Sequence, residues 1–281
     1  MMFVWNKNRI NMKKIILIDF SIFIHKAIFA QVNIKKLSAT YLAMNMIMAC
    51  LKKLPITPDD ILILARDSFG KGNWRRKLDE NYKADRKVKR RKKDIDWDFW
   101  FPEFNRFTEN LSYSTSLQPI LVDNCEADDI ISSSSRHFKD NECIIVSSDS
   151  DFEPLTVLPN VKLFSNITKD YKYIKNPYKI LADKITKEKA DNLVTKVTTE
   201  EEYEIRKKLV NLLELPKDID NKIIKEIKNI DSKYEFDIDK LWHRDLAKRY
   251  NQIYENKGVI NYGEKTKAKK RKKGRKVTKK S

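Results

Sequence analysis

Four short apolar runs punctuate the first half of the chain: Ile15–Ile18, Ile61–Ala65, Ile120–Val122 and Ile144–Val146. Each is continuous rather than alternating, and rich in Ile, Val and Leu, as strands covered on both faces are. Between them the apolar residues recur at helical spacing, over Leu37–Leu54, Trp97–Leu111 and Ala127–Phe138. Strand and helix in alternation predict an α/β fold with a mostly parallel central sheet flanked by helices. Val161–Phe164 and Tyr171–Ile174 add a further strand or hairpin at the sheet edge.

After Pro177 the pattern becomes helical. Ile180–Ile230 shows 3.6-residue periodicity, and Thr198-Thr199 ahead of Glu201-Glu202 form a capping-box signature for a helix over Glu202–Leu215. Asp239–Glu255 is another helical stretch. The expected organisation is an α/β core at 12–177, a smaller helical region at 178–260 and a disordered basic tail at 264–281.

Charge sharpens this picture. Of a formal net charge of +18, the eleven Lys/Arg of Lys265–Ser281 supply most, leaving +7 for residues 1–264. Such a run reads as an arm for nucleic acid, or as a solubilising tail. No apolar run is long enough for a membrane span, and the N-terminus lacks a signal-peptide pattern. Neither GxGxxG nor GxxxxGK[ST] occurs, so glycine-rich nucleotide loops are excluded. Three scattered histidines argue against a His-based metal site or triad. The cysteines Cys50, Cys125 and Cys143 have no metal-like spacing and read as reduced core thiols, in keeping with a cytoplasmic protein.

Every one of the four strands runs into acid. The first ends in Asp19 and the second at Asp67. The third runs into Glu126-Ala127-Asp128-Asp129 at a helix start, and the fourth ends at Asp149 and Asp151. The carboxyl ends of parallel strands share one edge, where ligands bind. One acid there is ordinarily a helix N-cap, but six or seven repel and raise one another's pKa. A hard divalent ion relieves that repulsion. The i, i+2 spacing of Asp149 and Asp151 in extended chain points both to one face, which suits two neighbouring ions. An acidic nest in a basic protein without a nucleotide loop suggests metal-assisted hydrolysis of a phosphodiester.

Between Asp67 and the third strand lies a basic, aromatic insertion at about 70–110. Eight of the eleven residues Lys83–Lys93 are Lys or Arg, flanked by Trp74, Tyr82, Trp97, Trp100 and Phe101. Cations for phosphates beside rings for unpaired bases describe a single-strand binding element; an exposed helix with solvated charges is the alternative. Expected nucleic-acid contacts are Arg75, Arg76, Tyr82, Lys83, Arg86, Lys87, Lys89, Arg90 and Arg91.

The segments "ILIDFS" (Ile16–Ser21), "NWRRKLDENYKADR" (Asn73–Arg86), "EADDI" (Glu126–Ile130) and "SSDSDF" (Ser147–Phe152) together resemble the flap-endonuclease family of structure-specific 5′ nucleases, whose core is related to PIN domains. The likeness spans about residues 14–220. It implies a PIN-like core with a basic arch, and Mg²⁺ as cofactor in two sites, with Mn²⁺ as a substitute. Asp19, Asp67, Glu126, Asp128 and Asp149 would surround the first ion and Asp151 the second. Glu188 and Asp191 stand where the family has the acids of its GDxxDN motif, although Glu188 replaces an Asp. Lys83 and Arg86 match arch residues that contact the scissile phosphate, and Tyr82 the neighbouring aromatic; Lys83, Arg86 and Asp149 are the expected catalytic residues. The family's glycine-rich helix–turn–helix is degenerate, because no glycine occurs between Gly72 and Gly258.

The resemblance implies a monomeric 5′ nuclease acting on RNA–DNA hybrids, flaps and nicked duplex, removing RNA primers in phage DNA replication inside the host cytoplasm. Two alternatives are a PIN-type single-stranded ribonuclease and a non-catalytic DNA-binding protein on the same fold. Asp239–Glu255, with Trp242 and Tyr250, is either a docking surface for a single-strand DNA-binding protein or sliding clamp, or a core helix.

Overall fold

The computed structural model describes residues 13–33, 37–68, 72–83, 95–186, 197, 199–230, 237 and 244–255. Strand β1 (Ile15–Asp19) is buried along its whole length and leads directly into α1 (Phe20–Asn33), which is followed by α2 (Ala39–Leu51). Next come β2 (Ile61–Ala65), the short α3 (Arg75–Leu78), α4 (Trp97–Ser114), β3 (Leu117–Ile120) and α5 (Ala127–His137). After β4 (Cys143–Val146) a 3₁₀ helix spans Ser150–Val157, followed by β5 (Val161–Phe164), β6 (Tyr171–Lys172) and the helices α6 (Pro177–Thr186), α7 (Glu200–Val210), α8 (Lys217–Lys228) and α9 (Arg244–Glu255).

The six strands form one sheet in the order β3-β2-β1-β4-β5-β6, parallel throughout except for β6. This is the α/β, mostly parallel sheet expected from the apolar runs, with the hairpin at its edge. The third strand lies earlier than its apolar residues suggested, at Leu117-Gln118-Pro119-Ile120, with Pro119 opposite Leu64. A proline that cannot donate to a ladder is tolerated there because β3 is an edge strand.

Period-2 alternation divides each strand between two cores. Ile16, Ile18, Leu62, Leu64, Ile144 and Val146 pack with α1, α2, α4 and α9. Ile15, Leu17, Ile63, Ala65, Cys143 and Ile145 pack with α5, the 3₁₀ helix and α8. The helices after 177 thus divide between both faces of the same sheet. Ile219, Ile223 and Ile227 form the apolar stripe of α8 and rest on α5. There Ser132–Ser135 are all buried and small enough for close approach, and Arg136 pairs with Asp220 at 2.7 Å.

Helix α9 packs on α2 through Leu246, Ala247, Tyr250 and Ile253. Tyr250 is fully buried, its hydroxyl 2.7 Å from Ser116 Oγ. Tyr250 therefore belongs to the core and not to a docking surface; Trp242 lies outside the described residues. The capping box opens α7 as the sequence suggested, with Glu202 N–H donating to Thr199 Oγ1 at 3.2 Å and Thr199 N–H to Glu202 Oε2 at 3.2 Å, but that helix ends at Val210. All three cysteines are buried and unbridged. No described helix is long and apolar enough to cross a membrane. The tail at 264–281 lies outside the described residues.

Candidate active site

Because β2 and β3 lie on one side of β1, and β4 and β5 on the other, the strand order reverses at β1/β4, where the carboxyl ends of a doubly wound sheet open a crevice. Asp19, the last residue of β1, is 5% exposed there. Ser147, just past β4, donates its hydroxyl to Asp19 Oδ2 at 2.8 Å and accepts from the Asp149 N–H at 3.0 Å. One serine thus holds the ends of two neighbouring strands, and with them two carboxylates, together.

The loops that leave β2 and β3 are laced to each other. Arg66 N–H donates to the Ile120 carbonyl at 3.0 Å, Ser68 N–H to Cys125 at 3.0 Å and Trp74 N–H to Asn124 at 3.2 Å. Asn124 adopts a left-handed φ of 66°, and a Cβ at Gly72 would stand 1.8 Å from its Oδ1, so position 72 must be glycine unless Asn124 moves. The lacing delivers Asp67 to the start of α5, where its Oδ1 accepts from Ala127 N–H at 2.8 Å. Glu126 caps that helix, its own N–H donating to Asp129 Oδ2 at 2.9 Å.

These acids share one electrostatic neighbourhood. Burial pushes the Asp19 carboxyl up to about 7, and the charges of Asp67 and Asp149 add to this against the Ser147 hydroxyl and the Ile22 N–H. Burial likewise holds Asp128 well above the carboxylate range; Lys83 opposes the rise, while Asp19, Glu126 and Asp149 reinforce it. Glu126 moves the other way. Burial raises it, but Lys83 and Arg75 outweigh that and bring it down to about 2.

The base of the basic insertion closes over Glu126. Lys83 Nζ donates to Oε1 at 2.8 Å, Tyr82 Oη to Oε2 at 3.1 Å and Arg75 Nη1 to Oε2 at 3.2 Å. Lys83 has φ 55°, a left-handed conformation that costs a residue with a Cβ about 1–2 kcal/mol. Backbone strain at a residue aimed into a crevice is characteristic of functional sites. Among the described residues no three acids are already converged as a metal cage; Lys83 and Lys184 instead each take an oxygen, of Glu126 and Asp151 respectively. The donor set nevertheless fits a hard divalent ion. It is oxygen-rich, and burial and like charge make Asp19 and Asp128 costly to ionise without a cation.

Residues 14–203, more than half of the chain, match the family model described as the 5′–3′ exonuclease N-terminal, resolvase-like domain. The chain belongs to the 5′–3′ exonuclease family. It is 30% identical over 138 residues to the ribonuclease H of Enterobacteria phage T4, a stretch covering 48% of this chain and 45% of that protein, so the chain spans just under half of that relative's length. Its fold is similar to that of the bacteriophage T5 D15 protein co-crystallised with metal ions. That likeness has a TM-score of 0.57 at 16% identity, over 78% of this chain and 99% of the other. A T5 5′-exonuclease with bound zinc superposes less closely, at a TM-score of 0.48 and 15% identity over 86% of this chain and 91% of that one.

Within this 5′–3′ exonuclease domain the structure gathers Asp19, Asp67, Glu126, Asp128, Asp149, Tyr82 and Lys83. Three expected residues are placed differently. Tyr82 is not available to stack on a base: it is 4% exposed, its hydroxyl is held by Glu126 and its ring lies against the Arg75 guanidinium. Arg75 is not available to nucleic acid: it is 2% exposed, donates to the Leu209 carbonyl at 2.9 Å and lies 2.7 Å from Asp129. Asp151 does not share an extended strand with Asp149, because the chain turns into the 3₁₀ helix at that point. Asp149 becomes its N-cap, accepting from Asp151 N–H at 2.9 Å, and Asp151 turns to Lys184. Arg76 is exposed on α3. Arg86, Lys87, Lys89, Arg90, Arg91, Glu188 and Asp191 lie outside the described residues.

Three residues that position the site were not singled out from sequence: Asp129, Ser147 and Lys184. Asp129 and Ser147 stood in the segments "EADDI" and "SSDSDF" without a role of their own; Lys184 left no signal.

Proposed function

We propose that this protein is a divalent-metal-dependent 5′ nuclease, with Mg²⁺ as the ion and Mn²⁺ as a substitute, that hydrolyses phosphodiester bonds in RNA–DNA hybrids, 5′ flaps and nicked duplex. One observation carries the reading: the charges of Asp19, Asp67, Glu126, Asp128 and Asp149 act on one another at the strand-order reversal, and Asp19 and Asp128 are disfavoured as bare anions. A binding protein gains nothing from such repulsion.

When bound, an ion at these carboxylates would lower the pKa of a water molecule and stabilise the departing oxygen. The chain's own residues supply the rest. Asp19, Asp128 and Glu126 would hold the ion from β1 and α5, with Asp67 and Asp149 completing the nest. Ser147 fixes the angle between Asp19 and Asp149. Lys83, released from Glu126, would meet the scissile phosphate as a point charge, with Arg86 beside it. Arg76 and the basic run Lys87, Lys89, Arg90 and Arg91 would follow the phosphate backbone. Asp151, with Glu188 and Asp191, would hold a second ion.

The family assignment and the likeness to the phage T4 ribonuclease H support primer removal during phage replication; a monomer in the host cytoplasm with a catalytic core at 12–177 is part of the same proposal. The test is cleavage of a labelled 5′ flap, a nicked duplex, an RNA–DNA hybrid and single-stranded RNA, with Mg²⁺ and with EDTA. Cleavage of the first three that EDTA abolishes is expected. Cutting confined to single-stranded RNA, or binding with no cleavage of any substrate, would overturn the reading.

A further inference from the structure

Lys184 is a cation in a place where the sequence led us to expect only acids. It sits in the last turn of α6, which packs against the 3₁₀ helix that carries Asp151. Its side chain is 8% exposed, and its ammonium donates to Asp151 Oδ1 at 2.8 Å and reaches Ser150 Oγ at 3.4 Å. The Asp151 side chain is 42% exposed. The lysine is therefore the fixed, enclosed partner of the pair, and the carboxylate is the solvent-facing one.

We propose that Lys184 is a tethered competitor for Asp151: its ammonium neutralises the carboxylate, so that a divalent ion binds at this position only weakly until Lys184 is displaced. The proposal rests on the metal-dependent reading above. Three physical points support it. A desolvated ammonium needs a paired anion, and a lysine held by its packed stem surrenders that anion reluctantly. A divalent ion on the free Asp151 oxygen would stand within a few ångströms of a positive charge, with repulsion strengthened by the low local dielectric. The rest of the nest differs in balance, since among the described residues Asp19, Asp67, Glu126, Asp128 and Asp149 outnumber Lys83 and Arg75, the cations seen on Glu126. The sequence thus builds unequal sites: an acid-rich one around Asp19 and Asp128, and a lysine-neutralised one at Asp151. Substrate phosphate is the natural displacing group, because it offers Lys184 an alternative anion at the moment the second ion is needed.

The experiment is a Mn²⁺ titration of the full chain, with free Mn²⁺ followed by electron paramagnetic resonance. One tight ion and a second at least tenfold weaker are expected for the wild type. Lys184→Met should tighten the weaker ion at least tenfold and leave the tight one unchanged, and Lys184→Gln should do the same where Met disturbs folding. Adding Asp151→Asn to Lys184→Met should abolish the gain. An unchanged isotherm for both Lys184 variants, or a loss of the weaker ion in them, overturns the proposal while leaving the metal-dependent reading intact. Failure of the wild type to bind any Mn²⁺ overturns both.

Discussion

Arg75 and Asp129 form an ion pair closed to solvent, with Nη2 2.7 Å from Oδ1, Nη1 donating to Oδ2 at 3.0 Å and side chains only 2% and 0% exposed. The pair joins the first turn of the basic insertion to the first turn of α5. Trp74 Nε1 donates to the same carboxylate at 3.0 Å, and Arg75 also reaches Glu126. Burial opposes the guanidinium charge, but Asp129 and Glu126 outweigh it and hold Arg75 above its ordinary value. The pair therefore sets where Tyr82 and Lys83 stand relative to the acidic nest.

Removing one partner strands the other charge in a dry site, which typically costs about 3–5 kcal/mol. Arg75→Met and Asp129→Asn should each lower stability by about that much in urea unfolding. Arg75→Met combined with Asp129→Leu should recover part of the loss, because no unpaired charge is left, although the Trp74 indole and the Glu126 N–H lose their acceptor. A loss below about 1 kcal/mol in both single variants would mean that the pair is not closed to water.

Stability should fall as pH rises through the neutral range when divalent ions are chelated. Asp19 has a folded value of about 7 against 3.8 for the free side chain. Between these values the native state binds the extra proton, so the contribution of this group is present below about 4 and is lost as pH approaches 7. That difference corresponds to about 4 kcal/mol as an upper figure, and Asp128 acts in the same direction. Glu126, lowered from 4.5 to about 2, contributes stability above about 4.5 that is lost as pH falls toward 2. The chelated protein should be most stable near pH 4–5, and Asp19→Asn should be more stable than wild type at pH 7. A urea midpoint in EDTA that rises from pH 5 to pH 7 would contradict this.

The central strands were legible because β1, β2 and β4 lie between neighbours and are apolar on both faces. The edge strand β3 was read three residues late, since Gln118 and Pro119 interrupt its apolar character and the more hydrophobic Leu121-Val122 lie just beyond it. Helix α1 gave little amphipathic contrast: Phe20, Phe23, Ile24, Ala27 and Ile28 fall on one buried face, but Ile22, Phe29 and Val32 off that face are apolar too. The acids of the nest were legible as strand-end residues, but their orientations were not. Whether Asp151 faces Asp149 or Lys184 depends on a 3₁₀ turn, and whether Arg75 faces solvent or Asp129 depends on how two loops are laced. Both are tertiary facts that residue spacing along one chain segment does not encode.

Asp149→Asn separates charge from scaffold. The amide oxygen of asparagine can still accept from Asp151 N–H, so the cap on the 3₁₀ helix survives while one negative charge leaves the nest. Cleavage of a 5′ flap should drop at least about 100-fold, the scale of a lost electrostatic catalytic contact. Flap binding measured by fluorescence anisotropy in EDTA should stay within about threefold. Cleavage at the wild-type rate would remove Asp149 from the metal nest.

Lys83 combines a strained backbone with a charge on Glu126, and two substitutions separate these. Lys83→Ala and Lys83→Gly both remove the ammonium and should lose cleavage to a similar extent, about 100-fold. Only glycine relieves the left-handed φ of 55°, so Lys83→Gly should be the more stable of the two by about 1 kcal/mol. Thermal unfolding in the same buffer checks the difference. If the alanine variant is the more stable, the left-handed turn is not retained in solution.

The basic tail tests how duplex would be held by a chain in which the family's glycine-rich helix–turn–helix is degenerate in sequence. Lys265–Ser281 carries eleven cations and no acid. Each phosphate it neutralises should contribute about −0.9 to the slope of log K against log salt on duplex. Deleting 265–281 should therefore weaken binding of a nicked duplex strongly at low salt and only slightly at high salt, and the slope should flatten by several units. Single-turnover cleavage of enzyme-bound substrate should change little if the tail supplies affinity alone. If the truncated chain binds with the same affinity and the same salt slope, duplex is gripped elsewhere, and the exposed Arg76 with the run Lys83–Lys93 becomes the surface to mutate next.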